Sequence, residues 1–189
     1  MELPIDSSVD SDVCFLIGCA LGEIVFSLHT RRAPLTCANF LAYARSGLFC
    51  DAKFYRILAA RNQINAPYPV CVVQGGLAYC PRLGYQPKGG LGPIVHESTA
   101  MTGLRHRDGT VSMARFGPGQ TYGGFFFCVG DQPQLDFGGR RFSDGLGAAA
   151  FGQVLSGMDV VGALSGLAES TEFLACPVAI TRFELLHQG

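Results

Sequence analysis

The chain has 189 residues, enough for one domain or a domain with a small appendage. Its 14 Lys and Arg balance 15 Asp and Glu, and the basic pairs Arg31-Arg32 and Arg140-Arg141 stand alone, so the clustered cations that a nucleic-acid backbone calls for are missing. Only 15% of residues are charged and 48% are hydrophobic, yet the longest apolar run, Val13 to Leu21, is far short of the ~20 residues of a membrane-spanning helix.

Residues 1–12 carry Glu2, Asp6, Asp10 and Asp12 and no Lys or Arg, the wrong charge for a signal or transit peptide. They read as a flexible tail ahead of a single domain, 13–189. Val13–Cys19 and Glu23–His29 are β-forming runs around a tight break and predict a hairpin. Ala33-Pro34-Leu35-Thr36 starts a helix with Pro near its first position, and Gly47 stops it. Further β-like runs are Lys53–Leu58, Val70–Gln74, Gly109–Ala114, Phe125–Val129, Ala149–Val154 and Val178–Leu186. A second helix fits Gly157–Leu167. Glycine-rich connectors, Gly84–Gly92 and Gly117–Gly124, lie between. Many short strands with Gly and Pro turns and two helices predict a mainly β, closed or nearly closed architecture, since closure removes exposed edges.

The 8 cysteines include no C-x-x-C pair, and the 4 histidines fall near no tight cysteine pair, so neither a zinc knuckle nor a disulfide framework is indicated. Most cysteines sit among Val, Phe, Leu and Ala and read as small core residues. This favours an intracellular, reducing compartment, the cytoplasm or an organelle interior. The acid–histidine neighbours His96-Glu97 and His106-x-Asp108 have no nucleophile beside them and read as surface polar residues in connectors. No Gly-x-Ser-x-Gly or phosphate-loop motif occurs.

One ordered set stands out: Ala33-Pro34-Leu35-Thr36-Cys37-Ala38-Asn39-Phe40, Phe54-Tyr55-Arg56-Ile57-Leu58, Val72-Val73-Gln74-Gly75-Gly76, Gly109-Thr110-Val111-Ser112-Met113-Ala114, Phe125-Phe126-Phe127-Cys128, Phe151-Gly152-Gln153-Val154 and Gly157-Met158-Asp159-Val160-Val161. From Val13 to Leu186 this resembles the cyclophilin family of peptidyl-prolyl cis/trans isomerases. The resemblance implies an eight-stranded antiparallel closed β-barrel capped by two α-helices. It also implies rotation of X–Pro bonds in proline-containing polypeptides, without cofactor or metal.

Carried over by position, the resemblance makes Arg56 the catalytic residue. Gln74, Cys71, Val72, Ala114, Arg115, Phe126 and Leu135 become the substrate-binding residues. Read without the resemblance, Arg56 is a strand-face arginine, Phe126 and Leu135 are core packing, and Gln74 is a buried hydrogen bonder.

The chain departs from the family at several of these places. Tyr55 stands for the histidine of Phe-His-Arg. Cys71 and Val72 stand for a phenylalanine and a methionine of the proline pocket, Arg115 for an asparagine, and Gly124 for a glutamine. Gln134 stands for a tryptophan, Ala148 for a histidine, and residues Ala59 to Pro69 form an insertion. Two functions follow. One is a divergent isomerase with weak activity, because each lost pocket carbon removes about 0.8 kcal/mol of burial. The other is a catalytically decayed accessory subunit of a larger assembly, to which the low charge content would fit.

Overall fold

The computed structural model describes residues 13–77 and 91–187. The proposed tail, 1–12, and most of the Gly84–Gly92 connector lie outside them. Eight strands form the barrel: β1 (Val13–Cys19), β2 (Gly22–Leu28), β3 (Lys53–Leu58), β4 (Val72–Gly76), β5 (Thr110–Arg115), β6 (Thr121–Cys128), β7 (Ala149–Ser156) and β8 (Phe173–His187). They close in the order β1-β2-β7-β5-β6-β4-β3-β8, with every neighbour antiparallel. Helices α1 (Pro34–Arg45) and α3 (Met158–Gly166) match the two expected. A one-turn helix, α2 (Thr99–Thr102), was not foreseen. Four residues are too few to carry a periodic signal.

Strand ends differ from expectation where glycine misleads. β6 begins at Thr121 and takes in Gly123 and Gly124, which read as connector. β8 runs from Phe173 through Pro177, so the Pro that suggests a later start is accommodated inside the strand. At the end of β4, Gly76 has φ +99°, and a Cβ there would meet the Gly123 carbonyl oxygen at 2.3 Å. The close approach of β4 and β6 therefore requires glycine.

Alternation along the strands separates two apolar groups. Val73, Val111, Met113, Phe125 and Phe127 face the barrel interior and belong to the main core. Their neighbours Val72, Ala114 and Phe126 face outward and form a second cluster with Leu58, Val70, Cys128, Leu135 and Ala148. The interior is built largely of phenylalanine. Phe40, from α1, meets the rings of Phe15, Phe26, Phe49, Phe125, Phe151 and Phe183 at centroid distances of 5.1–5.9 Å and so plugs one end.

Ala33, at the N-cap of α1, has no side-chain oxygen to offer the first-turn N–H groups. Glu97 supplies it from a distance: its carboxylate accepts from Leu35 N (3.2 Å), Thr36 N (2.7 Å) and Thr36 Oγ1 (2.7 Å). Glu97 is buried, which corrects its reading as a surface residue. An anion at a helix N-terminus is stabilised by the helix dipole, and here it also satisfies donors that the sequence leaves without a local cap.

The insertion is folded onto the barrel. After Ala59, Ala60–Asn62 make a single 3-10 turn. The Arg61 guanidinium donates to the carbonyls of Ser165 (3.3 Å), Gly166 (2.7 Å) and Ala168 (3.0 Å), a cation on the C-terminal carbonyls of α3.

Removing the Glu97 carboxylate strands the two buried Thr36 donors and frees the partly buried Leu35 N–H. Glu97→Ala is expected to lower unfolding free energy by about 2–3 kcal/mol, read from urea denaturation.

Candidate active site

A cleft of about 260 Å³ opens on the outer face of the barrel, between β3, β4, β5, β6 and the segment 135–142. Its lining includes Arg56, Val72, Gln74, Ala114, Arg115, Phe126 and Leu135. Strand pairing puts several of these in one row: Arg56 is opposite Gln74, Gln74 opposite Phe126, and Phe126 opposite Ser112. Of the eight predicted site residues, Cys71 alone is not in the lining. Val70 and Val72 share the outward face with Gln74, so the two-residue period turns Cys71 away. Val70 and Leu58 line the cleft instead. The inserted loop does not fill it.

Arg56 is held on two sides. Its Nε (3.0 Å) and Nη2 (2.5 Å) both donate to Glu172 Oε2, and Nη1 donates to Gln74 Oε1 (3.1 Å). A guanidinium has five N–H groups. One on Nη1 and one on Nη2 therefore remain for a ligand, and the side chain is 28% exposed. The register of β3 shifts against both neighbours between Phe54 and Arg56. Such a bulge re-aims side chains, and here Tyr55 and Arg56, consecutive residues, both reach the Gln74 amide.

Beneath Arg56 lies a buried polar layer. Gln74 Nε2 donates to the hydroxyls of Tyr55 (2.8 Å) and Tyr122 (2.6 Å), which are 3.2 Å from each other. Burial, reinforced by the neighbouring Tyr122, holds the Tyr55 phenol well above its ordinary range, so it stays a neutral hydroxyl.

Across the cleft, Arg115 is not free to meet a ligand as a charge. Nε donates to Gly147 O (2.9 Å), and Nη1 and Nη2 make a bidentate pair with Asp144 (2.8 and 2.9 Å). Its guanidinium carbon stands 3.9 Å over the Phe142 ring. Hydrogen bonding from Arg115 in turn keeps the Asp144 carboxyl below the usual range.

Behind Phe126 the structure corrects another reading. His106 is buried, and its partner is Asp136, not Asp108. Nδ1 and the backbone N–H of His106 donate to Asp136 Oδ1 (2.8 and 2.9 Å), and Nε2 is 2.9 Å from Ser112 Oγ. Ser, His and Asp in this order serve nucleophilic catalysis where the serine faces substrate. Here Ser112 is fully buried and the imidazole is stacked on Phe126, with ring centroids 6.2 Å apart. The chain of bonds therefore positions Phe126 and presents no nucleophile. Burial pushes the Asp136 carboxyl up, but the His106 hydrogen bonds and the charges of His106 and Arg105 outweigh it and hold it below its ordinary range. Burial raises the Cys128 thiol, which makes it inert. Among the described residues no group of three His, Cys, Asp or Glu side chains could hold a metal ion.

The family of cyclophilin type peptidyl-prolyl cis-trans isomerases matches residues 14–185. The chain belongs to the cyclophilin family. It is 37% identical over 147 residues to the peptidyl-prolyl cis-trans isomerase cyp18 of Streptomyces antibioticus, covering 77% of this chain and 79% of that one. It is 34% identical over 152 residues to peptidyl-prolyl cis-trans isomerase B of Escherichia coli K12, covering 78% and 80%. In fold it is similar to a cyclophilin type isomerase of Cryptosporidium parvum. The TM-score is 0.70 at 21% identity, over 94% of this chain and 99% of the other.

Gly124 has a physical reason. A Cβ at Gly124 would lie 2.6 Å from Cε2 and 2.8 Å from Cζ of Tyr122. A side chain at residue 124 could not coexist with the Tyr122 ring in this position. Glycine admits the ring, and the Tyr122 hydroxyl takes the hydrogen bond of Gln74. Tyr122 and Glu172 are the contributors that sequence reading missed. The one signal was the pair of departures at Tyr55 and Gly124.

Gly124→Ala is expected to displace Tyr122 and cost about 1–3 kcal/mol of stability. Because the clash is with that ring, the double variant G124A/Y122A should be more stable than the sum of the single losses predicts, as urea unfolding would show. A second expectation follows from Asp136. A carboxyl lowered in the folded state contributes fully above its unfolded pKa, about 3.9, and the contribution is lost as pH falls through the folded value. Asp136→Asn should be less stable than the parent at pH 7, with a shallower further loss below pH ~4, measured by denaturation across pH.

Proposed function

We propose that this cyclophilin is a peptidyl-prolyl cis/trans isomerase of weak activity toward X–Pro bonds in polypeptides, with Arg56 as its catalytic residue. The observation that carries the proposal is the pair of uncommitted Arg56 N–H groups at the edge of an open cleft that also holds a cluster of apolar side chains. The barrier to rotation, about 18–20 kcal/mol, comes from amide resonance. As the bond twists, conjugation is lost and a lone pair localises on the prolyl nitrogen. An N–H of Arg56 accepts no proton from substrate and gives none up; it donates a hydrogen bond to that lone pair. The bond is stronger to the twisted than to the planar amide, which is the condition for catalysis by binding. Phe126, Leu135, Val72 and Ala114 provide an apolar seat for the prolyl ring, and Glu172 with Gln74 fixes the guanidinium before substrate arrives.

Two features support weak activity. The pocket positions of the family's phenylalanine and methionine are occupied by a Cys71 that turns away and by the shorter Val72. Val70 restores only part of the wall. In addition, the Glu172 carboxylate offsets part of the guanidinium's positive field, which reduces its pull on the prolyl nitrogen.

Two-dimensional exchange NMR on a prolyl tetrapeptide measures the activity directly. Arg56→Ala is expected to lower kcat/KM by about 10²-fold, with KM changed much less because the prolyl seat is intact. Arg56→Lys should restore only a fraction, since one ammonium cannot keep the fork held by Glu172 and Gln74. Equal exchange rates for the parent and Arg56→Ala would overturn the assignment.

A further inference from the structure

A second cleft lies beside the first. It has a volume of about 390 Å³ and is lined by the inserted loop (Arg61 through Ala66) and by Ser170 and Glu172. Two side-chain pairs form the ridge between the clefts, each with one member in either. Arg56 donates to Glu172, and Arg141, which lines the first cleft, donates to Gln63 Oε1 (3.2 Å) in the second. The ridge is thus one side-chain pair thick. The loop is fixed in advance. Arg61 is bonded to three carbonyls behind α3, and Asn62 Nδ2 donates to Ile57 O (2.9 Å) and Thr171 O (3.2 Å). Gln63 Nε2 donates to Val70 O (2.5 Å). Three residues remain uncommitted at the mouth. Ile64 is 83% exposed, and the side chains of Asn65 and Ser170, also exposed, make no hydrogen bond with any described residue.

From this juxtaposition we infer that the insertion cleft is a subsite for the polypeptide segment flanking the prolyl residue, bound in extended form. The inference rests on one part of the proposed function, the seating of a prolyl residue in the Arg56 cleft, and not on turnover there. An extended residue spans about 3.3–3.6 Å, so a chain whose proline sits at Arg56 crosses the ridge within two residues and enters the second cleft. Asn65 and Ser170 offer a donor and acceptors to its backbone amides, and Ile64 offers an apolar face to one side chain. Little loop entropy is lost on binding, because the loop is already tied down. The subsite lies to one side of Arg56, so it serves residues on one side of the proline only.

The test compares three peptides by isothermal calorimetry: acetyl-Ala-Ala-Pro-Ala-amide, and the same core extended by four alternating Val and Ser residues at the N-terminal or the C-terminal end. One extension, and not the other, is expected to lower Kd about tenfold, the worth of one or two hydrogen bonds with a partly covered Ile64. Ser170→Trp fills the cleft and should bring the ratio of short to extended Kd to about one. Ile64→Ser, at a position too exposed to affect folding, should reduce the ratio at least twofold. Equal Kd for all three peptides on the parent protein, or an undiminished ratio in both variants, would overturn the subsite. Isomerisation of the short peptide, followed by exchange NMR in the same samples, tests the other reading separately. A preserved Kd ratio without turnover would remove the isomerase assignment and leave the subsite standing.

Discussion

A closed barrel has no edge, and every residue of its wall must face either in or out. That constraint governs the rest of this molecule. On β6, Phe125 and Phe127 fill the interior while Phe126 between them faces the cleft. On β4, Val73 points in, and Val72 and Gln74 point out. The site is therefore the outer side of the same residues whose inner neighbours make the core. A shift of one residue in any of these strands would exchange the two sets. The phenylalanine interior, pinned by Phe40 from one end, fixes the register and so aligns Arg56, Gln74 and Phe126 across three strands.

Below that apolar and cationic surface run two buried hydrogen-bonded layers. One joins Tyr55, Gln74 and Tyr122, and the other joins Ser112, His106 and Asp136. Buried polar groups are costly unless every one is paired, and these are paired. Their consequence is rigidity at the two ends of the row, since Gln74 cannot move without disturbing two phenols and Phe126 rests on an imidazole that is itself tied down. Tyr55, Tyr122 and Gly124 belong together in one such layer, since the two phenols share the Gln74 amide and Gly124 leaves room for the Tyr122 ring.

Much of the barrel was legible because strand signals are local. β1 and β3 lie where runs of β-branched and aromatic residues place them. What escaped depends on contacts between distant parts of the chain. Glu97 reads as a connector residue until it is seen 61 positions from the Thr36 it caps. His106 stands beside Asp108 in sequence but finds Asp136, 30 residues on. Glu172 meets Arg56 across 116 residues. No spacing rule covers such pairs. One sign was available: α1 starts at a Pro with only Ala before it, so its N-terminal donors had to be satisfied from elsewhere. Cys71 was misplaced for a different reason. The insertion ends just before it, and positional carry-over across an insertion does not preserve which side of the strand a residue faces.

The arginines around the cleft differ in how far each is open to a ligand. Arg115 has its Nε and both terminal nitrogens bonded within one loop, and its side chain is 2% exposed. It serves as a strut for the segment 142–147. Arg61 is turned away onto the carbonyls behind α3. Arg141 reaches Gln63 and approaches Glu172 at 3.9 Å, and so belongs to the ridge. Arg56 makes the same number of bonds as Arg115 but differs in exposure. A single carboxylate oxygen takes two of its N–H groups and one amide oxygen takes a third, which fixes the plane of the guanidinium, and its remaining donors belong to a side chain that is 28% exposed. Lysine, with a rotating ammonium, could not be both clamped and available in this way. In the isomerase role proposed for Arg56, the same geometry sets a limit. The carboxylate that orients the guanidinium also lowers its field, so orientation and strength of donation are traded against each other at one side chain, Glu172.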